Sequence, residues 1–347
     1  MEKLTIKDVA RICNVSVSTV SRAINDSPDI SSETREKILK VIKENYYVPN
    51  NNARNLKISE LNTIAVLIKG IDNSFFWPII STIEKEIQKR KYTFILHRVD
   101  QDEDEIDVAI ALEKEKKLKG IIFLGGYFSH SKEKLSKLNI PFVLSTVGIK
   151  EVVDFELCGS VAVDDTKESE KIVDYLCKLG HKRIALVTSP PDDESIGTMR
   201  YEGYRNALKK NNVEFDEKLV IILDNEWNKY SMKNGYDATT KLLESGANPT
   251  AIFAIADSVA IGACKAIIDK GLEIPDDISV AGFDGLELSN YYSPTLTTIS
   301  QPCEEIALET IRILFRIMDR KPIDVHKIFQ GKLIIGDSTK RIDSKGK

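Results

Sequence analysis

The sequence predicts a multidomain chain: a small all-α head, then a two-lobed α/β core with parallel sheets. Three observations predict it. Residues 5–45 carry three short amphipathic helix patterns and no strand pattern. From Thr63 onward, continuous apolar runs alternate with amphipathic segments, the texture of buried parallel strands covered by helices. About ten such runs fall into two similar groups, too many for one small sheet. Two doubly wound lobes with a cleft between them follow, and ligands bind such folds at the carboxyl ends of the strands. The length of 347 residues independently points to two or three domains.

In the first helix, Ile6, Val9, Ala10 and Cys13 form one apolar stripe. Thr5 and Asp8 have the spacing of a capping box. Asn14 stands where the chain must turn sharply, and Asn tolerates the left-handed conformation. Ser16 can cap a second helix running through Asn25. That helix turns Val20 and Ala23 inward and Ser18, Ser21 and Arg22 outward. Two short helices about a tight turn, the second with a polar outer face, describe a helix-turn-helix. A third helix is expected from Ser32 to Asn45, with Ile38, Val41 and Ile42 on its apolar face, ending at Tyr47-Val48-Pro49.

Residues 51–57 are polar apart from Ala53 and Leu56, and too short for a stable isolated helix. A hinge that forms only against a partner is the natural reading. The first group of core strands is 63–68, 92–97, 120–124 and 141–145, with helices at 77–90, 103–117 and 131–137. The second is 161–163, 183–187, 219–223, 251–255 and 278–282, with helices at 167–179, 200–211, 231–244 and 258–270, before final strands within 329–335. The acidic run 102–105 reads as a solvated helix start.

Composition narrows the function classes. The net charge of −4 hides an asymmetry: residues 1–60 carry 10 Lys and Arg against 8 Asp and Glu, whereas the remainder carries 39 against 45. A mildly basic head on an acidic core allows nucleic-acid binding of modest non-specific strength, which a dimer would reinforce. Five cysteines, an odd number without close spacing, point to reduced thiols, not disulfides or a zinc site. No apolar run approaches the roughly 20 residues that span a bilayer. The polar N-terminus does not read as a secretory signal, so a cytoplasmic protein without membrane contact is expected. There is no glycine-rich phosphate loop, metal-spaced His/Asp/Glu cluster or nucleophile elbow. No catalytic residue, metal or cofactor is therefore assigned.

Nearly the whole chain resembles the LacI/GalR family of bacterial transcription regulators. In the head, residues 5–10 and 15–22 with Asn25 carry the likeness, followed by 47–50 and 53–56. In the core it rests on 179–184, 200–204, 282–284 and 296–302, in family order. The resemblance implies a homodimer on double-stranded operator DNA. Each subunit would have a reading head at 1–46, a hinge helix and linker at 47–62, and a periplasmic binding protein-like core. In that core the N-terminal lobe would comprise 63–162 and about 302–324, the C-terminal lobe 163–301 and about 325–341, with 342–347 as a tail. No leucine-rich tetramerising tail is apparent.

Val17, Ser18 and Arg22 would enter the major groove, where Arg bonds guanine bidentately and Val meets a thymine methyl. Thr5, Ser16, Thr19, Ser21 and Asn25 suit phosphate contacts. Leu56, paired with its symmetry mate, would wedge into a central minor-groove step, beside Ala53, Arg54 and Asn55. The family likeness suggests a CpG step there. For a small-molecule effector, of which a sugar is the leading class, the candidates are Phe76, Arg200, Trp227, Asp257 and Asp284, with Asp165 beside them. Phe76 offers a ring to stack on, Arg200 a charged fork, and Asp284 a carboxylate at a strand's carboxyl end. Ala256 and the pair Ser145-Thr146 lack the side chains that some sugar-binding members place there. His181 reads as structural. The alternatives are a solute-binding protein without a gene-regulatory role and a two-lobed enzyme.

Overall fold

A computed structural model describes residues 4–24, 27, 29–45, 47, 62–100, 102–126, 132–148, 156–190, 196–224, 229–322 and 324–342. Asn25, Ala53, Arg54, Asn55, Leu56 and Trp227 lie outside the described residues. The chain divides into two units, 1–61 and 62–347.

The first unit contains helices α1 (Ile6–Cys13), α2 (Val17–Ile24) and α3 (Ser32–Glu44). The capping box forms: the Asp8 amide donates to Thr5 Oγ1, and the Thr5 amide donates to Asp8 Oδ2 at 3.0 Å. These hydrogen bonds from Thr5 hold the Asp8 carboxyl below its ordinary pKa. Asn14 takes the left-handed conformation, φ +56°, that ends α1. Val9, Ala10, Cys13, Val20, Ala23 and Ile38 form the small core. Arg35 donates to the Ser27 carbonyl at 2.6 Å and ties α3 to the loop after α2.

The second unit holds two six-stranded sheets. The first contains β1 (Thr63–Lys69), β2 (Thr93–Val99), β3 (Gly120–Leu124), β4 (Phe142–Ser145), β5 (Cys158–Val163) and, late in sequence, β11 (His326–Phe329). Its order is β11-β5-β4-β3-β1-β2, all parallel. The second contains β6 (Ile184–Thr188), β7 (Val220–Ile222), β8 (Ala251–Ala254), β9 (Ser279–Asp284), β10 (Thr297–Ser300) and β12 (Lys332–Ile334). Its order is β12-β10-β9-β8-β6-β7, with only β12 antiparallel. Helices α4 (Phe76–Lys89), α5 (Glu105–Lys116) and α6 (Lys132–Leu135) belong to the first lobe. Those of the second are α7 (Asp165–Lys178), α8 (Ile196–Lys210), α9 (Met232–Glu244), α10 (Asp257–Asp269) and α11 (Glu287–Tyr291). The last helix, α12 (Cys303–Met318), returns to pack on α4 and on β3–β5.

The chain crosses between lobes three times: after β5, between β10 and α12, and between β11 and β12. The third crossing departs from expectation. Residues 326–329 were expected in the second lobe, yet they pair with β5, His326 opposite Ser160 and Phe329 opposite Val163. The crossing falls at Gly331, where a Cβ would lie 2.6 Å from Ile299 Cγ2. β11 is an edge strand buried on neither face, so its hydrophobic signal is weak. The acidic run at 102–105 is also not simply solvated. Asp104 caps α5, and Glu105 is buried against Lys69, 3.5 Å from its Nζ.

No helix among the described residues is long and apolar enough to cross a membrane. The five cysteines are free thiols.

Candidate functional site

In the head, α2 is divided sharply between its faces. Val20 and Ala23 are buried, whereas Val17, Ser18 and Arg22 are exposed. Ser16 accepts from the Thr19 amide at 3.1 Å, so its hydroxyl caps the helix that carries these three side chains. The same hydroxyl lies 2.7 Å from Ser18 Oγ and 2.8 Å from Thr19 Oγ1. Thr5 is exposed at the start of α1; Thr19 and Ser21 are half-buried. An exposed arginine, serine and valine on one helix face, backed by a packed apolar face, fit a groove of mixed hydrogen-bonding and apolar character.

In the core, a cleft of about 900 Å³, part of it open to solvent, lies at the carboxyl ends of both sheets. From the first lobe come Lys69 and Gly70 at the end of β1, Asp72 and Asn73, Phe75 and Phe76 opening α4, Gly125 and Gly126 after β3, and Thr146 after β4. The glycines are required by close approach: a Cβ on Gly125 would lie 2.8 Å from the Lys69 carbonyl and 2.9 Å from Phe76 Cζ. Phe76 is thereby pressed into the cleft wall, its ring tilted 59° to that of Phe75 at 5.3 Å.

The second lobe supplies Arg200, Tyr230, Ala256, Asp284 and Gln301. Arg200 sits in the second turn of α8, which begins at Ile196; the sequence placed it at the helix start. Its Nε donates to Asp165 Oδ1 at 2.7 Å, and its Nη1 donates to the Ile255 carbonyl and, at 3.4 Å, to Asp284 Oδ1. The guanidinium stacks 3.6 Å from the Phe283 ring centroid. Burial opposes the Arg200 charge, but the carboxylates of Asp165 and Asp284 outweigh it and raise its pKa. Burial also raises Asp165, against the pull of Arg200. It pushes Asp284 up to about 7, again against Arg200, with the charge of Asp257 adding to the rise.

Phe76, Arg200 and Asp284 thus meet in one cleft, with Asp165 directly behind Arg200. Asp257 does not join them. Its Oδ1 accepts from Thr298 Oγ1 at 2.6 Å, and its Oδ2 accepts from the Leu286 amide and Ser289 Oγ, each at 2.8 Å. With those acceptors occupied by the protein, Asp257 ties α10 to the β9–α11 turn and to β10 instead of facing a ligand. Burial lifts its carboxyl to about 6 despite these hydrogen bonds. His181 is likewise enclosed, its Nε2 donating to the Lys340 carbonyl at 3.1 Å and its Nδ1 beside Thr250 Oγ1 at 3.0 Å. Burial holds the imidazole below its ordinary pKa.

Sequence reasoning missed Gln301, Tyr230, Asn73 and Lys69. Position was the available signal for two of them: Lys69 ends a strand and Gln301 follows one. Gln301 lies beside Asp284 because Ser300 pairs with Asp284 across β10 and β9.

The sequence profile of the bacterial regulatory proteins, lacI family, matches residues 5–50, and that of the periplasmic binding protein-like domain matches residues 173–339. The HTH-type transcriptional regulator MalR of Clostridium butyricum is 37% identical over 337 residues, 96% of this chain and 99% of its own. Among solved structures, the transcriptional regulator CelR in complex with cellobiose is 26% identical, with a TM-score of 0.69 over 96% of this chain and 99% of that one. A lac repressor dimer bound to operator and an anti-inducer shares the fold at a TM-score of 0.72 over 98% of this chain and 100% of its own, with 24% identity.

Proposed function

We propose, for a chain that belongs to the lacI family of bacterial regulatory proteins, a sequence-specific transcriptional repressor that binds a palindromic operator as a homodimer under the control of a small molecule. The observation that carries this reading is α2: a helix packed through Val20 and Ala23 that leaves Val17, Ser18 and Arg22 exposed together. Two copies held in register would read two half-sites. Thr5, Ser16, Thr19 and Ser21 would take phosphates, which fix position without reading sequence.

The segment at 47–62 would form the hinge, with Leu56 as the minor-groove wedge. The effector would enter the core cleft against Phe76, Arg200 and Asp284. The three interlobe crossings would convert its arrival into a change in how the lobes close. CelR's complex with cellobiose supports a sugar as the effector. A binding protein, not an enzyme, is the reading its regulator relatives support.

The test is selection from randomised duplex DNA followed by a mobility-shift assay, with and without residues 1–60. The full chain should enrich a palindrome. The chain lacking 1–60 should lose that DNA and keep its ligand. Enrichment of no palindrome by the full chain contradicts the reading.

A further inference from the structure

Two of the three interlobe crossings meet on one helix. Val163 ends β5 and Phe329 ends β11, and these two residues are partners in the first sheet. The first and third crossings therefore leave that lobe side by side. The first runs through Asp164 alone into α7, and Asp164 caps that helix by accepting from the Lys167 amide at 3.0 Å. The third runs through Gln330 and Gly331 into β12. Gly331 is buried between β10 and α7: besides its approach to Ile299, a Cβ there would lie 3.0 Å from Glu168 Oε2.

Lys171, three residues after Glu168 on α7, closes this contact. Its Nζ donates to the Gly331 carbonyl at 2.9 Å and also to Glu168 Oε2. The Glu168 side chain is only 4% exposed. An ion pair enclosed in this way adds little net stability, because desolvation offsets the attraction. Its geometry instead fixes a position: the carboxylate aims the ammonium, and the ammonium holds the main chain of the crossing. Asp165 lies three residues before Glu168 on the same helix, a spacing that makes the two neighbours on its surface. Asp165 accepts from Arg200 of the cleft wall at 2.7 Å. Burial raises the Asp165 carboxyl and the charge of Glu168 adds to that rise, so the two acids act on each other. A run of charged groups on α7 thus leads from Arg200 to Gly331.

We propose that Glu168 and Lys171 are positioning residues of the lobe hinge, holding the third crossing on α7 through the Gly331 carbonyl and tying it to the cleft through Asp165 and Arg200. On the first-lobe side this crossing continues into β11, an edge strand buried on neither face. The lysine therefore fixes the end about which that strand turns. This deepens, and rests on, the reading of the crossings as the parts that move when the lobes close.

The test is double electron–electron resonance on the full chain, without DNA or ligand. Spin labels at Lys114 of α5 and Lys209 of α8 report across the lobes, and labels at Lys209 and Glu244 of α9 report within the second. Labelled chain diluted into unlabelled chain restricts the distances to one subunit, and attachment through an introduced ketone side chain leaves the thiols untouched. Glu168→Leu combined with Lys171→Met replaces the pair by apolar side chains and strands no buried charge. This double variant should broaden the interlobe distance distribution and leave the distribution within the second lobe at its native width. Lys171→Arg keeps a donor for the Gly331 carbonyl and should keep the native interlobe width. An unchanged interlobe width in the double variant, equal broadening of both pairs of labels, or broadening in Lys171→Arg as large as in the double variant overturns the proposal. Palindrome selection by the unmodified chain is scored separately. A chain that selects no palindrome overturns the regulator reading, whereas distances that fail to broaden overturn only the hinge assignment.

Discussion

Asp284 ends β9 with φ +114°, a backbone conformation that L-residues rarely take, and Gly285 follows at φ +74°. It is also a buried carboxyl whose surroundings push its pKa up to about 7. Strain and desolvation in one residue are the mark of a position held for its chemistry. The linkage has a definite sign. Unfolded, the group titrates near about 3.9. The folded state therefore binds its proton more tightly, and the resulting stability is full below about 4 and lost as pH rises through about 7. Asp257, lifted to about 6, acts in the same direction, and His181 in the opposite one. Urea unfolding should show the Asp284→Asn variant gaining on the native chain between pH 5 and 8, by on the order of 2 kcal/mol. Parallel profiles for the two proteins would remove Asp284 from the titration.

Among the elements, α9 and α10 cross at two glycines. A Cβ on Gly262 would lie 2.0 Å from the Met232 carbonyl, and one on Gly235 would lie 2.3 Å from the Val259 carbonyl. Both obstacles are backbone, which cannot rotate away. In an open helix interior, glycine to alanine gains up to about 1 kcal/mol. Here Gly262→Ala should instead lose about 1–3 kcal/mol in urea unfolding, and any gain would refute the close crossing. The elements themselves were largely legible. Thr5 and Asp8 announced α1 through local hydrogen bonds, and the all-buried run of β1 announced itself by composition. Interactions set by sheet register were not legible. β11 lacks a buried face, so its lobe could not be read. Asp257 looked like a cleft residue because its partners Leu286, Ser289 and Thr298 lie far along the chain. Gln301 escaped notice because only the pairing of β10 with β9 places it beside Asp284.

In the whole molecule, one chain carries a DNA-reading head and a core whose cleft draws walls from both lobes. A ligand that touched Phe76 from one side and Arg200 and Gln301 from the other would favour the closed relation of the lobes. A ligand shifts the regulator only as far as it binds one state better than the other. Such couplings are typically about 1–3 kcal/mol, or roughly 5–150-fold in affinity. The most direct test is fluorescence anisotropy of the full-length protein on its selected palindrome, titrated with a panel of sugars that includes cellobiose and ribose. The account predicts a shift in operator affinity of about 5–150-fold at saturating sugar. An operator affinity that stays constant while the cleft fills would contradict it.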